Sequence, residues 1–230
     1  MLRLPRSLAR LVRDLARLRN CAAGVSAVEF AIVMPALVAV LLGTVEGGRY
    51  VMHARNLNLT VNGIAQMASQ ADGTLTASDA QFIRDSAMLS FPDALTEAGE
   101  LGIEWTDHLK IGISGIEFTQ RPDTCATGPC QYFADTRWTA GHTAARKACG
   151  RISSAHPDAS PSTTTLPYNT FGPHEVIAVV ASVDYVPLFG STVFPSLTLT
   201  RGAYFLPRTA AKIDYSPAGN STFGTVCPGF

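Results

Sequence analysis

Two sets of residues in this 230-residue chain have the type and spacing to do chemistry. The first is Glu29, a carboxylate inside the apolar run 24–46. An ionised carboxylate in a bilayer costs about 2.5–3.5 kcal/mol on insertion scales, so one kept there needs a compensating partner, here a positive charge. The second set is Cys125, Cys130, Cys149 and Cys227, four thiols that can form two disulfides if that part of the chain is exported to an oxidising compartment. Four cysteines allow three connectivities. The run Cys125-Ala-Thr-Gly-Pro-Cys130 has the form of a hairpin loop between strands, which favours Cys125 with Cys130 and leaves Cys149 for Cys227. A zinc site fits neither the gaps nor the compartment.

No other constellation is visible. The five histidines, His53, His108, His142, His156 and His174, lack a metal-ligand spacing such as H-E-x-x-H. There is no G-x-S-x-G elbow and no phosphate-binding G-x-x-x-x-G-K-[ST] loop. Acidic residues such as Asp93, Glu97 and Glu100 read as solvated helix faces. The sequence therefore predicts no catalytic residue, no metal, no cofactor and no enzyme activity.

The elements that must position Glu29 begin with charge. The net charge of zero hides an asymmetry: residues 1–23 hold six arginines against Asp14, a net of +5, and the rest of the chain balances it. Arginines just before an apolar span keep that end in the cytoplasm, so everything after Glu46 is expected outside. Lacking interleaved aromatics, the arm reads as a topology signal in contact with lipid, not as a nucleic-acid site. Residues 30–45 cover roughly 24 Å as a helix, against a hydrocarbon core of ~30 Å, so residues 25–28 complete the span. Glu29 then sits in the cytoplasmic leaflet, and Pro35 is expected to bend the helix. An ordinary signal peptide fits poorly, because the arm is long, the run holds an acid and no A-x-A pair follows Leu42.

Beyond Arg49 the pattern becomes periodic. Ala54, Leu57, Val61, Ile64, Ala68 and Ala71 form one helical stripe, predicting a helix over about 49–72 that covers its own sheet or packs on a partner. Ser78-Asp79-Ala80-Gln81 has capping-box form and predicts a second helix over about 78–89. Four strands are predicted within 102–206: around Leu109 to Phe118, over 131–138, over 176–186 and over 197–206, with 149–174 as a Ser/Thr/Pro-rich loop. The fold class is α+β: a transmembrane helix (24–46) extending into a long amphipathic helix, then an antiparallel-sheet exported domain within 47–230.

Gly24-Val25-Ser-Ala-Val-Glu29-Phe30 resembles the processing site of type IV pilins and pseudopilins, where a membrane peptidase cuts after the glycine. With Pro35 and Gly43-Thr-Val-Glu46-Gly-Gly-Arg49, the segment resembles the TadE family of Tad (Flp) pilus assembly proteins over about thirty residues. It departs at Gly47, where the family more often has an aromatic. Residues 179–188 and 203–208 resemble the family's C-terminal strands. The resemblance implies a non-catalytic inner-membrane pseudopilin crossing once, with a cytoplasmic N-terminus and a periplasmic domain, either within a pilus or beside it. It implies cleavage after Gly24 by a prepilin peptidase, which would leave a new amine on Val25 for Glu29 of a neighbouring subunit. The implied partners are that peptidase, other pilin-like and Tad membrane components and lipid. The rival class is a membrane-anchored periplasmic enzyme or ligand-binding domain whose anchor is only incidentally pilin-like.

Overall fold

The computed structural model describes residues 22–122, 124–125, 129–190, 192, 194–220 and 222–230. Most of the basic arm, with its six arginines and Cys21, lies outside the described residues. The chain divides into two units, Met1–Arg49 and Tyr50–Phe230. Helix α1 (Ala22–Ala68) contributes to both and runs through Pro35 without interruption.

The first unit, where described, is helix alone. Its apolar side chains have nothing to pack against: Phe30 is 63% exposed, Ile32 73% and Val40 65%. Such a surface left in water forgoes the roughly 25 cal/mol per Å² that burial would contribute, so this helix calls for an apolar surrounding. Among the described residues α1 is the one helix long and apolar enough to cross a membrane.

The second unit is α+β, as the residue pattern predicts. Leu57, Val61, Ile64, Ala65 and Ala68 of α1 are buried at 1% exposure or less, so the stripe read from the sequence covers the protein's own sheet. After it come β1 (Thr74–Thr76) and α2 (Ala77–Asp85). Thr76, not Ser78, caps α2, its Oγ1 accepting the Asp79 amide at 3.1 Å. The single helix expected over 78–89 is broken at Ser86, and α3 (Ala87–Ser90) follows. Next come α4 (Asp93–Leu101), closed by Gly102 at φ 69°, and α5 (Trp105–His108).

The main sheet comprises β2 (Leu109–Gln120), β3 (Tyr132–Gly141), β4 (Gly150–Ala155), β5 (Thr165–Pro167), β6 (Val176–Tyr185), β7 (Leu197–Phe205) and β9 (Gly224–Val226). Its order is β5-β4-β3-β2-β6-β7, with β9 also against β3, while β8 (Asp214–Ser216) pairs in parallel with β1. Pairing within the main sheet is antiparallel except for β4 with β5. The stretch 149–174, expected as loop, thus carries two short strands. Its serines and threonines hide them, because pairing with β3 and tertiary context, not intrinsic propensity, hold them in place.

Each sheet face has its own core. Ile111, Ile113, Val179, Ala181 and Val183 pack in the cluster that includes the buried residues of α1. Ile116, Phe118, Ala134, Ile152, Leu166, Val176 and Ala178 form a second cluster. The β2–β3 register steps between Gly115, opposite Trp138, and Ile116, opposite Thr136, so Arg137 is the extra residue of a bulge. A side chain on Gly115 would collide with the Trp138 indole, whose Nε1 donates to the Ile213 carbonyl at 2.6 Å.

Candidate functional site

The residues picked out at the start of α1 are placed on one continuous helix. Gly24 and Val25 lie in its first turn, and Glu29, Phe30 and Pro35 follow within it. Glu29 and Phe30 are exposed. Glu46 is buried at 4% exposure, and Arg49 is half-buried. Gly47, where the TadE pattern more often has an aromatic, has open space at the position of a Cβ. The chemistry available to this segment is that of a helix surface: an apolar flank carrying one carboxylate about one turn from Val25.

Cys125, Cys130, Cys149 and Cys227 come together as two disulfides. Cys125 bonds to Cys130 with Cα atoms 4.3 Å apart, and Cys149 bonds to Cys227 at 5.4 Å. The first closes the connection between β2 and β3. The second links the start of β4 to the tail after β9, whose Cys227 amide also donates to the Arg137 carbonyl at 2.7 Å.

Two polar clusters inside the second unit were not visible in the sequence. In the first, Glu97 of α4 joins two histidines: its Oε1 lies 3.3 Å from His53 Nε2 on α1, and its Oε2 lies 3.1 Å from His108 Nε2 at the end of α5. Glu97, expected on a solvated face, is 8% exposed, and the histidines are 3% and 1% exposed. The rings of Phe91 and Tyr185 stand edge-on to His53 at 5.3 and 5.2 Å. The cluster joins three helices through a carboxylate whose two oxygens are both engaged, a polar tie in an apolar setting. Intervals of 44 and 11 residues put these groups beyond any motif, which is why reading by spacing missed them. Among the described residues no group of three His, Cys, Asp or Glu side chains is arranged to hold a metal ion.

The second cluster surrounds the bulge. Arg137 Nη1 donates to Glu175 Oε2 at 3.0 Å, Nη2 to Asp214 Oδ1 at 2.6 Å, and Nε stands 3.5 Å from Glu117 Oε2. Glu175 Oε1 accepts the Ile213 amide at 3.2 Å. Burial pushes the Glu175 carboxyl up, against the pull of that amide and of Arg137. Burial pulls the Arg137 guanidinium down, but Glu175, Asp214 and Glu117 outweigh it and the net direction is up. Arg137 therefore stays cationic and fastens β2, β8 and the loop before β6 to the bulge.

With this geometry in view, the comparisons place the N-terminal segment. Residues 24–68 match the family model of TadE-like proteins. The match begins at Gly24, includes Glu29, Phe30, Pro35, Glu46 and Arg49, and ends with α1, short of residues 179–188 and 203–208. No curated protein and no solved structure matches the chain.

Proposed function

We propose that this chain is a membrane-anchored, pseudopilin-like component of a Tad/Flp pilus assembly system. Its N-terminal arm lies in the cytoplasm, residues 24–46 cross the inner membrane once, and the unit from Tyr50 onward lies in the periplasm. The observation that carries the reading is the family match from Gly24 through α1, laid on a helix whose apolar side chains have no cover of their own. The arginines before the span support this orientation by the positive-inside rule.

Within that role, a prepilin peptidase cuts after Gly24 and removes the arm. The new Val25 amine and the Glu29 carboxylate then pair between neighbouring helices in the lipid, where each offsets the cost of the other's charge. Other pilin-like and Tad membrane components are the partners of this helix. The rival reading of an anchored enzyme or ligand-binding domain has no family match behind it.

The test is the Glu29→Ala variant, expressed in place of the native chain in a strain that makes the pilus. Expected is normal membrane insertion and normal shortening of the chain, with loss of surface pili. Wild-type piliation in that strain would contradict the pairing.

A further inference from the structure

Strands β3 and β4 begin as neighbours and then part. Ala134, Asp135 and Thr136 oppose Ile152, Arg151 and Gly150. Beyond that point β3 stays with β2 as far as Tyr132, while β4 turns to β5, with Ser153 opposite Thr165 and Ser154 opposite Leu166. A cavity of about 550 Å³ opens where they separate, and Tyr132, Phe133, Ser153, Ser154, Arg121 and Arg151 are among its walls. That volume is within the ordinary range for ligand sites.

Hydrogen-bond alternation shows which backbone groups face the gap. The Arg121 amide donates to the Gln131 carbonyl at 2.8 Å, so Gln131 and Phe133 turn their backbone groups toward β2. Tyr132, like Ala134, turns its own toward the side β4 has left. On the other wall the Ser153 amide donates to the Thr164 carbonyl at 3.0 Å, on the β5 side, so Ser154, like Ile152, faces β3. Tyr132 and Ser154 would be the next pair of the ladder, and the ladder stops before them. The gap thus exposes one strand-pairing edge on each side.

Its charge is defined as well. The guanidinium carbons of Arg121 and Arg151 lie 4.4 and 4.0 Å from the centre of the Phe133 ring. Arg151 Nε is engaged by Asp135 at 2.9 Å, and Arg121 Nη1 makes a long contact with the Gln131 side chain at 3.4 Å. Two cations are thus held on one ring, among the described residues with the Asp135 carboxylate alone paired to them, and both remain exposed at the cavity.

We propose that this cleft binds an extended peptide segment of another protein, one carrying an acidic side chain. Its main chain pairs with Tyr132 and Ser154, as in strand addition to an open sheet edge, and its carboxylate meets Arg121 and Arg151. The backbone edges favour a peptide over a free anion, and the excess of guanidinium sets the sign of the side chain. The proposal does not depend on the pilus reading, since it uses only residues of the sheet.

The test is fluorescence anisotropy on the full-length chain in detergent micelles. The probes are labelled heptapeptide pools with the central residue fixed as aspartate or asparagine, plus an aspartate pool flanked by prolines. The aspartate pool is expected to bind about ten-fold more tightly than the asparagine pool, equivalent to one charge-assisted contact. Flanking prolines, which cannot donate to a ladder, abolish that binding. The exposed double change Arg121→Gln and Arg151→Gln brings the aspartate pool to the asparagine level with thermal unfolding unchanged. Equal binding of all pools, no binding of any, full retention by the double variant, or displacement by N-acetyl-aspartate as effective as by unlabelled peptide would each overturn the proposal.

Discussion

Lys147 is 1% exposed: its Nζ donates to the carbonyls of Ser162 and Thr165, both at 2.6 Å, and lies 5.9 Å from the centre of the Tyr204 ring. Burial pulls this ammonium down to about 8 from its ordinary 10.5 and pushes the Tyr204 phenol up to about 12 from 10.0. The two act in opposite senses. Between about 8 and 10.5 the unfolded chain holds the lysine proton that the folded chain has released, so stability rises with pH through that window. The folded chain keeps the tyrosine proton that the unfolded chain loses, so the tyrosine's contribution is complete below 10.0 and is lost as pH rises to about 12. Urea midpoints across pH should show the rise in wild type and not in Lys147→Met; a matching rise in that variant would refute the assignment. Glu97 makes a second prediction. Glu97→Ala leaves both His53 and His108 without this acceptor inside the core, and unfolding free energy should fall by about 1–3 kcal/mol. A variant as stable as wild type in urea would mean that the three-helix tie is dispensable. None of these pairings has a local signature, because their partners are brought together by sheet register and helix packing.

The elements show where local pattern suffices and where it does not. The stripe from Leu57 to Ala68 specified both a helix and its buried face, since apolar residues at three- and four-residue steps have only one way to share a side. Strands β2, β3, β6 and β7 were legible because branched and aromatic residues recur along them. Strands β4 and β5 were not, being short, polar and dependent on neighbours, and the buried side of α4 carries little signal because it consists of Ala94, Glu97 and Ala98. The bulge at Arg137 was invisible for a different reason: a register step is a property of two strands. Removing the Cys149–Cys227 bond tests how far the tail depends on a covalent tie. The bond spans 78 residues, and its loss in Cys149→Ser, Cys227→Ser should cost about 2–4 kcal/mol. The bond between Cys125 and Cys130 spans only 5, so its loss should cost markedly less. Equal losses in chemical denaturation would contradict this ordering.

At the scale of the whole molecule, the two units divide the work. Where described, the segment ending at Arg49 has no core of its own and a surface suited to lipid, whereas the described part of the unit from Tyr50 onward carries its own cores, disulfides and polar ties. The proposed function starts from the first because a carboxylate in an apolar span is costly wherever it occurs, so Glu29 calls for a partner whatever the fold. In the second the sequence disclosed the class of architecture but not the cleft between β3 and β4, which exists only because two strands change partners. The central claim is that the chain enters its assembly as a processed, pilin-like membrane helix. The most direct test is the intact mass and N-terminal sequence of the protein recovered from membranes, with and without the cognate prepilin peptidase. The account predicts a mature chain beginning at Val25 only when the peptidase is present; a chain still beginning at Met1 in its presence, or one cut beyond Leu42, would contradict it.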